Sequence, residues 1–354
     1  MTKKLPRLRR LVRLDHARPD LPAQTLFHAG PPYRSAPPQA VTIAAAQAAV
    51  IGGFAENLDA GRRMLQSGAL KLAPAQDHGI AVPLSMVVAP SMWCFEVGDD
   101  ENLFYSPVGE GPPPALRFGS DDPECIARAR DWCAEAAHII NPLLANVSDV
   151  ETIMTSALQR GDDCHAITAA GNALFVESLE PLPPQIKAQL LGNAGFVLGI
   201  WMAWAGWKLR TSHATIGAIG GNGIEFGWRR ANETTWRTTP APPPNGKYFQ
   251  PDRAANALGA IGDSAIVDIC GFGGQSIGHA PLLLAEWSHA LPRDVEERRT
   301  RIVDPSTGIV DPALIRRTGI SPIINLAILD KDGAASPIGR GCYIPALTLF
   351  ATGE

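Results

Sequence analysis

The chain has 354 residues, of which 45% are hydrophobic and 19% are charged, so it is long enough for a large core and too apolar for a disordered protein. Its 34 glycines and 31 prolines favour turns and irregular connections and argue against an all-helical bundle. A net charge of -4 supplies no positive field for nucleic acid, so we expect no nucleic-acid partner. The six cysteines form no C-x-x-C pair, which favours reduced thiols and a cytoplasmic location.

Basic residues dominate the first twenty positions, and no apolar run that would serve as a signal peptide follows them. We interpret residues 1–25 as a basic, flexible and solvated arm, with an RNA-binding or targeting role as the alternative.

The first predicted elements follow a proline-rich connection. The alanine-rich run at 39–68 predicts two tightly packed helical pieces, and residues 70–118 switch to short strand-like runs bounded by Gly, Pro or Asp. A helix is predicted over 122–144, because Ala, Ile and Trp recur there every three to four residues. Ser148 and Glu151 then form a capping box, which predicts the start of a new helix.

The middle of the chain is predicted to be its most helical part. One helical stretch runs to about Glu180, and a second helix spans Gln185 to about Arg210. The apolar run at 194–207 has fourteen residues, fewer than the roughly 20 that a bilayer requires. We therefore interpret it as a buried core helix and expect no membrane association.

Strand-like patterns return after the apolar helix. Asn222 and Gly223 lie at the tip of a predicted hairpin, and a proline-rich loop covers 240–244. Residues 257–274 predict a strand that runs into a glycine turn, followed by a helix at about 275–290. The tail predicts a strand at 321–329 and one or two more from the runs at 336–345 and 348–350.

The first candidate for chemistry is the segment from Gly161 to His165. If this segment were helical, Asp162 would lie one turn before His165 on nearly the same face. An adjacent carboxylate orients an imidazole and raises its basicity, which suits a general base or an anion-binding histidine. The alternative is that Asp162 only caps a helix while His165 is buried against its neighbour.

The second candidate joins Asp263 and Ser264 to the glycine turn that ends in Gly273 and Gly274. Consecutive glycines before a helix expose backbone amides that bind phosphate or carboxylate. We expect this turn to hold an anion, with Asp263 and Ser264 at its edge and Asp268 beside it. A simple turn explains the pattern equally well, and a serine hydrolase is disfavoured because no G-x-S-x-G elbow is present.

Asn222 and Glu225 form the third candidate, although hairpin-tip structure alone explains an asparagine at that position. His28 and His78 each lie beside a glycine in loop-like chain, where a metal site is conceivable. Neither histidine shows H-x-H or H-E-x-x-H spacing, so we predict no metal and no cofactor. We expect the three candidates and the two histidines to gather around one cleft.

Taken together, these segments resemble the YlbE-like family over residues 26–346. The similarity rests on FHAGPP at 27–32, AAVIGGF at 48–54, LRFG at 116–119, QRGDDCH at 159–165, NGIEFG at 222–227, IGDSAI at 261–266, GFGG at 271–274 and TGISPIINLAI at 318–328. No single motif is specific, whereas the joint match is.

The resemblance implies an α+β fold, with mixed α/β domains that we place at 26–147 and 211–354 and a small helical subdomain between them at 148–210. It also implies a relationship to a subunit of oxamate carbamoyltransferase in allantoin catabolism, which exchanges the carbamoyl group of oxalurate with phosphate to give oxamate and carbamoyl phosphate. We therefore expect a carbamoyltransferase-type component that binds a small ureido carboxylate and phosphate. It would act as a homo-oligomer or with partner subunits of a carbamoyltransferase complex.

For this chemistry we predict catalytic roles for His165, Asp162, His78 and Glu225. Substrate or anion binding is assigned to His28, Gly30, Asn222, Gly262, Asp263, Ser264, Gly273, Gly274 and Asn325. Relatives tend to carry a histidine run at 76–78 and an Asn-Arg-Asn run at 166–168, where this chain has neither. Loss of that arginine removes an anion clamp, so the alternative is a non-catalytic binding or scaffold subunit of a multi-subunit catabolic complex.

Overall fold

Helices and small sheets alternate irregularly along the chain in a computed structural model, which describes residues 6–109, 113–147, 149–333 and 337–351. The α-helices are α1 Leu14–Ala17, α2 Gln39–Ile51, α3 Leu58–Gln66, α4 Glu124–Ala127, α5 Cys133–Ile140, α6 Val150–Leu158, α7 Ala169–Ser178, α8 Pro184–Leu191, α9 Leu198–Thr211, α10 Ala265–Ile269, α11 Pro281–Glu286, α12 Arg298–Ile302 and α13 Pro312–Thr318. The mixture of separate helices and sheets confirms the predicted α+β class.

The strands are β1 Arg7–Arg13, β2 Thr25–His28, β3 Lys71–Pro74, β4 Val87–Val88, β5 Trp93–Gly98, β6 Leu103–Pro107, β7 Ile216–Asn222, β8 Glu225–Arg230, β9 Arg237–Pro240, β10 Asn245–Tyr248, β11 Ile261–Gly262, β12 Val303–Asp304, β13 Ile309–Val310, β14 Ile324–Ile328 and β15 Gly339–Tyr343. They form the sheets β1-β5-β6, β3-β2-β4, β11-β7-β8-β9, β10-β15-β14 and β12-β13. The β2-β3 pair is parallel, and the remaining pairs of these sheets are antiparallel.

The basic N-terminal segment differs from the expected solvated arm. Strand β1 pairs antiparallel with β5, and its Leu8, Leu11 and Val12 are buried while most of its arginines face outward. Arg10 donates two hydrogen bonds to the carboxylate of Glu96 on β5. The apolar positions between the arginines therefore build an edge strand, because pairing with β5 buries them while most of the arginines remain exposed to solvent. Residues 1–5 lie outside the described residues.

The middle of the chain is helical, as predicted, with α6 to α9 following one another. Asp149 caps α6 by accepting a hydrogen bond from the Thr152 amide at 3.0 Å, whereas the expected cap Ser148 lies outside the described residues. The apolar run forms α9, in which Trp201 and Trp204 are fully buried. Within the described ranges no helix is both long enough and apolar enough to cross a membrane.

The hairpin of β7 and β8 is confirmed at its predicted tip. Asn222 accepts hydrogen bonds from the Ile224 and Glu225 amides through its Oδ1 atom. Gly223 has a φ of 86°, a left-handed conformation that glycine adopts without strain. The turn chemistry of the Asn-Gly pair therefore sets the register of the two strands.

Several predicted elements differ from those observed. The strand predicted within 257–274 is limited to Ile261–Gly262, and Ala265–Ile269 forms helix α10, because a short, fully buried apolar run does not distinguish a strand from a helix. The helix predicted at 275–290 is reduced to Pro281–Glu286, preceded by 3-10 turns. The run at 348–350 belongs to a 3-10 turn, not a strand, and the helix predicted from Gln185 to Arg210 is divided into α8 and α9. Glycines at 192 and 195 lie in that division, where they weaken helix continuation.

The largest hydrophobic cluster draws side chains from all three predicted domains. Phe95 of β5, Trp201 of α9 and Ile266 of α10 all belong to it. A second cluster surrounds α2, β2 and β4. The shared cluster brings α9, α10 and β14 together, and these elements carry the candidate site. The domain boundaries themselves stay a prediction.

Candidate functional site

A cavity of about 320 Å³ lies where α9, β14 and β15 meet the loop that carries His165. Much of its wall is apolar, as in most small-molecule sites. Its lining includes Leu84, Phe118, His165, Leu198, Gly199, Phe249, Ser264, Asn325 and Arg340. Of the residues that we predicted for the site, His165, Ser264 and Asn325 are thus brought together by this cavity.

His165 is paired with Asp268, which is 103 positions away in the sequence. The His165 Nδ1 atom lies 2.8 Å from Asp268 Oδ2, and both side chains are buried. The other carboxylate oxygen of Asp268 accepts from the Gly274 amide at 2.6 Å and the Asn325 amide at 3.2 Å. Because Asp268 holds Nδ1, the Nε2 atom of the ring is the one available to a molecule in the cavity. We call this pair the His165–Asp268 dyad.

Burial and charge act in opposite directions on the dyad. Burial lowers the pKa of His165, but the charge and hydrogen bond of Asp268 raise it, and the net pKa lies above the ordinary value of histidine. Burial raises the pKa of Asp268, and its hydrogen bonds oppose that rise. The pair therefore retains a proton that an isolated buried histidine would lose, which suits proton transfer near neutral pH.

A loop, not a helix, presents His165. Asp163 organises this loop by accepting hydrogen bonds from the backbone amides of His165, Ala166 and Ile167, at 3.3, 3.1 and 2.7 Å. Cys164 has a φ of 67°, which is unusual for a residue other than glycine and marks a strained position beside the histidine. The expected helical face shared by Asp162 and His165 therefore does not exist.

Asp162 has a structural role in place of the predicted catalytic one. Its carboxylate accepts hydrogen bonds from the amides of Ala170 and Gly171, at 3.1 and 2.7 Å, in the first turn of α7. These contacts satisfy orphan amides at the start of the helix. The capping alternative for Asp162 is thus the correct one, and Asp268 takes the place beside the imidazole.

The glycine turn does not offer free amides to an anion. The Gly273 amide donates to the Asp163 carbonyl at 2.7 Å, and the Gly274 amide donates to Asp268. Gly273 has a φ of 52°, and a Cβ atom there would lie 2.2 Å from Asp268 Oδ1. The anion-binding prediction for both glycines is wrong, because the turn brings backbone close to the dyad instead.

Two residues that line the cavity each carry a buried side-chain atom with no hydrogen-bond partner among the described residues, Ser264 Oγ and Asn325 Oδ1. Ser264 lies four positions before Asp268, on the same side of the short helix α10. Gly262 precedes Ser264 by two positions and has a φ of 129°. A Cβ atom added to Gly262 would lie 3.1 Å from the Leu84 nitrogen. An unpaired buried polar atom costs free energy, so both atoms are candidates for ligand contacts.

Two arginines of the cavity wall were not predicted as site residues. Arg340 is held by Glu286 through hydrogen bonds of 2.8 and 3.0 Å, and Arg117 lies over the Phe118 ring at 4.8 Å. Arg117 belongs to the LRFG motif, which was a usable signal, whereas nothing local distinguished Arg340. No carboxylate lines the cavity in the described part of the chain, but the charge of Arg340 is offset by Glu286 beside it.

Asp263 links separate segments of the fold outside the cavity. It is fully buried and accepts hydrogen bonds from the Gly30 amide at 2.8 Å, the Val82 amide at 2.9 Å and the Gln76 side chain at 2.6 Å. Burial raises the pKa of Asp263 to about 7 against these hydrogen bonds, which lower it. Gly30 is required for this close packing, since a Cβ there would lie 2.3 Å from the Gly221 carbonyl carbon. These contacts give Asp263 and Gly30 structural roles in place of substrate binding.

Asn222 and His28 are also buried, and neither of them lines the cavity. The Asn222 Nδ2 atom donates to the Pro31 carbonyl at 3.0 Å. The His28 Nδ1 atom lies 2.8 Å from the Ala29 carbonyl, and its buried Nε2 atom has no partner among the described residues. Burial lowers the pKa of His28 to about 4, so the neutral ring is the form that fits the fold.

His78 and Glu225, two predicted catalytic residues, do not line the cavity. Glu225 accepts a hydrogen bond from the Thr238 hydroxyl at 2.7 Å across the β8-β9 pair. The His78 ring packs 4.9 Å from the Phe27 ring, and its carbonyl accepts from Arg18 at 2.6 Å. The part of the chain that the structure describes contains no group of three His, Cys, Asp or Glu side chains that would hold a metal.

The fold and site define an α+β protein in which a buried Asp–His pair lies at a mostly apolar cavity whose lining includes two arginines. The chain belongs to the family of the oxamate carbamoyltransferase subunit AllG, whose model matches residues 70–264. It is 26% identical over 371 residues to the "Oxamate carbamoyltransferase subunit AllG" of Escherichia coli (strain K12), covering 92% of this chain and 87% of that protein. The resemblance to YlbE-like proteins stays a prediction from the motifs.

Two further proteins are similar over nearly the whole chain. The "Uncharacterized protein YahG" of Escherichia coli (strain K12) is 26% identical over 377 residues, which covers 94% of this chain and 78% of that protein. A crystal structure of a conserved protein of unknown function from Enterococcus faecalis V583 matches with a TM-score of 0.86 and 25% identity, over 98% of this chain and 92% of that one.

Proposed function

We propose that the chain is a carbamoyltransferase component that acts on a small ureido carboxylate such as oxalurate, with phosphate as the acceptor. The observation that carries this proposal is the His165–Asp268 dyad at the wall of a cavity that also contains Arg117 and Arg340. A ureido carboxylate has a carboxylate end that an arginine can bind and a carbamoyl end that the histidine can contact. The family relationship supports the same chemistry.

In the proposed reaction, a phosphate oxygen attacks the carbamoyl carbon of oxalurate. The bond from that carbon to the central nitrogen breaks, and the nitrogen takes up a proton to leave as oxamate. His165 Nε2 donates that proton, while Asp268 keeps the ring oriented and favours its protonated form. The arginines stabilise the charge of the phosphate and of the substrate carboxylate.

Ser264 is assigned a contact with the substrate, not an attack on it. Its hydroxyl is not hydrogen-bonded to His165 or to any other described group, so no base is in place to activate it. Loss of this hydroxyl would then remove one hydrogen bond, roughly 0.5 to 1.5 kcal/mol of binding. Abolished turnover with unchanged substrate binding in Ser264→Ala would favour a nucleophilic serine instead.

A second candidate function is that of a non-catalytic binding or scaffold subunit. The specific observation in its favour is the absence of an arginine at 166–168, in the loop next to His165. In both cases we propose a cytoplasmic protein that assembles with itself or with partner subunits of a catabolic complex.

Release of carbamoyl phosphate from oxalurate and inorganic phosphate tests the proposal. The chain is assayed alone and with the products of its neighbouring genes, as the unaltered protein and as His165→Gln. His138→Gln is the matched control, because His138 lies exposed on α5 away from the cavity. We expect turnover that His165→Gln removes and His138→Gln retains. No turnover in either mixture would favour the scaffold function.

A further inference from the structure

One residue that lines the cavity carries an unpaired polar atom, and the chemistry of that atom limits which ligand group can bind to it. Asn325 lies on β14 in the cavity wall and is fully buried. Its Oδ1 atom has no hydrogen-bond partner among the described residues. The identity of this atom as oxygen rather than nitrogen decides whether the position accepts or donates a hydrogen bond.

Asp163 settles the orientation of the Asn325 amide. The Nδ2 atom of Asn325 donates to Asp163 Oδ2 at 2.6 Å. The same carboxylate already accepts three backbone amides of the His165 loop. A flipped amide would place its oxygen against a carboxylate oxygen, two acceptors with no proton between them, so the flip is excluded on electrostatic grounds.

The free atom of Asn325 is therefore a carbonyl oxygen that needs a donor. It does not suit a carboxylate, which presents only acceptors when ionised, and it suits a phosphate only through a protonated P–OH oxygen. In this inference, Asn325 therefore accepts from a ligand donor in place of the anion-binding role that we predicted for it. The cationic side chains of the cavity, Arg117 and Arg340, are the groups that suit an anion.

We infer that Asn325 selects the carbamoyl end of the ligand by accepting a hydrogen bond from its terminal NH₂ group. This inference rests on the proposed function and names the residue that distinguishes a carbamoyl group from an acyl group of the same shape. The backbone amide of Asn325 also donates to Asp268, so the acceptor is rigidly linked to the dyad. A carbamoyl group bound by Asn325 would thereby lie beside the His165 ring, which donates the proton in the proposed reaction.

Two ligands that differ in one group test this inference. Oxalurate ends in an NH₂ group, and N-acetyloxamate has a methyl group of nearly the same size in its place. Binding of each to the full chain is measured by calorimetry without phosphate, so that no turnover occurs. We expect oxalurate to bind about 10- to 100-fold more tightly, since the methyl group leaves the Asn325 oxygen buried and unpaired.

Two variants assign the preference to one side chain. Asn325→Ala retains the backbone amide that donates to Asp268 but removes the acceptor, so the two ligands should bind with similar affinity. Ser264→Ala is the matched control in the same wall and should retain the preference. Thermal unfolding of each variant verifies that it is folded, and the two-ligand comparison on the unaltered chain is decisive if Asn325→Ala does not fold.

The outcomes separate this inference from the proposed function. Equal affinity of the unaltered chain for both ligands would overturn the role of Asn325 and leave the ureido carboxylate as substrate. A preference that persists in folded Asn325→Ala would also overturn it, because another group would be the acceptor. Failure of both ligands to bind would overturn the proposed function and this inference with it.

Discussion

The partner of His165 can be tested by replacing either of two aspartates with asparagine. In Asp268→Asn, the side-chain oxygen is expected to keep the hydrogen bonds that Asp268 Oδ1 accepts from the Gly274 and Asn325 amides, at 2.6 and 3.2 Å. The new NH₂ group then faces His165 Nδ1 as a donor, so the ring must leave Nδ1 unprotonated. This removes a charge-assisted hydrogen bond worth about 1.5 to 3 kcal/mol and lowers the pKa of His165.

The assay is an NMR titration of the histidine ring nitrogens. The chain has eight histidines, so the His165 signals are assigned by comparison with His165→Gln. Asp162→Asn is the matched control, because Asp162 accepts only from the start of α7 and not from the ring. We expect Asp268→Asn to lower the pKa of His165 and Asp162→Asn to leave it unchanged. An unchanged pKa in Asp268→Asn would refute the pairing and the assigned tautomer.

Three further predictions concern stability and the geometry around the dyad. Burial lowers the pKa of His28 to about 4 from the ordinary 6.5, so the unaltered chain is fully stabilised above about pH 6.5 and loses about 3 kcal/mol of unfolding free energy as the pH falls towards 4. His28→Phe should remove this loss. Urea unfolding of both proteins across that pH range measures it, and parallel pH curves would contradict the prediction. Asp263→Ala should cost more than about 3 kcal/mol of unfolding free energy, because it leaves the buried Gly30 and Val82 amides without an acceptor and removes one of the two acceptors of Gln76 Nε2. Ser264→Ala should cost less than about 1 kcal/mol, and similar losses for the two variants in the same urea experiment would contradict the structural role of Asp263. Gly273→Ala should disrupt the dyad and change the NMR signals of the His165 ring. Gly161→Ala is the control, because Gly161 also has a positive φ but has open space around its Cβ position, and it should leave those signals unchanged. Identical spectra for the two variants would contradict the close approach of Gly273 to Asp268.

Local sequence signals predicted local structure well. The Asn222-Gly223 pair predicted the hairpin tip, because its turn conformation depends on those two residues alone. The helical middle followed from apolar periodicity. The N-terminal strand was missed because its buried residues Leu8, Leu11 and Val12 do not alternate, since the register of β1 shifts between Leu8 and Arg10, and its arginines favoured a solvated arm.

The chemistry of the site depends on contacts that no local pattern contains. A spacing rule favoured Asp162 as the partner of His165, but the loop that Asp163 organises turns the ring towards Asp268 instead. The glycine turn carried a pattern typical of anion sites, yet the fold supplies acceptors for the Gly273 amide and its neighbour. The residue types at the site could thus be predicted from the sequence, whereas their pairing required the tertiary structure.

The most direct test of the central claim is a crystal structure of the chain with oxalurate bound, at a concentration that saturates binding in solution and without phosphate. We expect the ligand to lie inside the cavity, with its carboxylate towards Arg340. Its carbamoyl group should lie within about 3 Å of His165 Nε2 and of Asn325 Oδ1. Oxalurate bound elsewhere on the protein, with the cavity empty, would contradict the assignment of this cavity as the carbamoyl-transfer site.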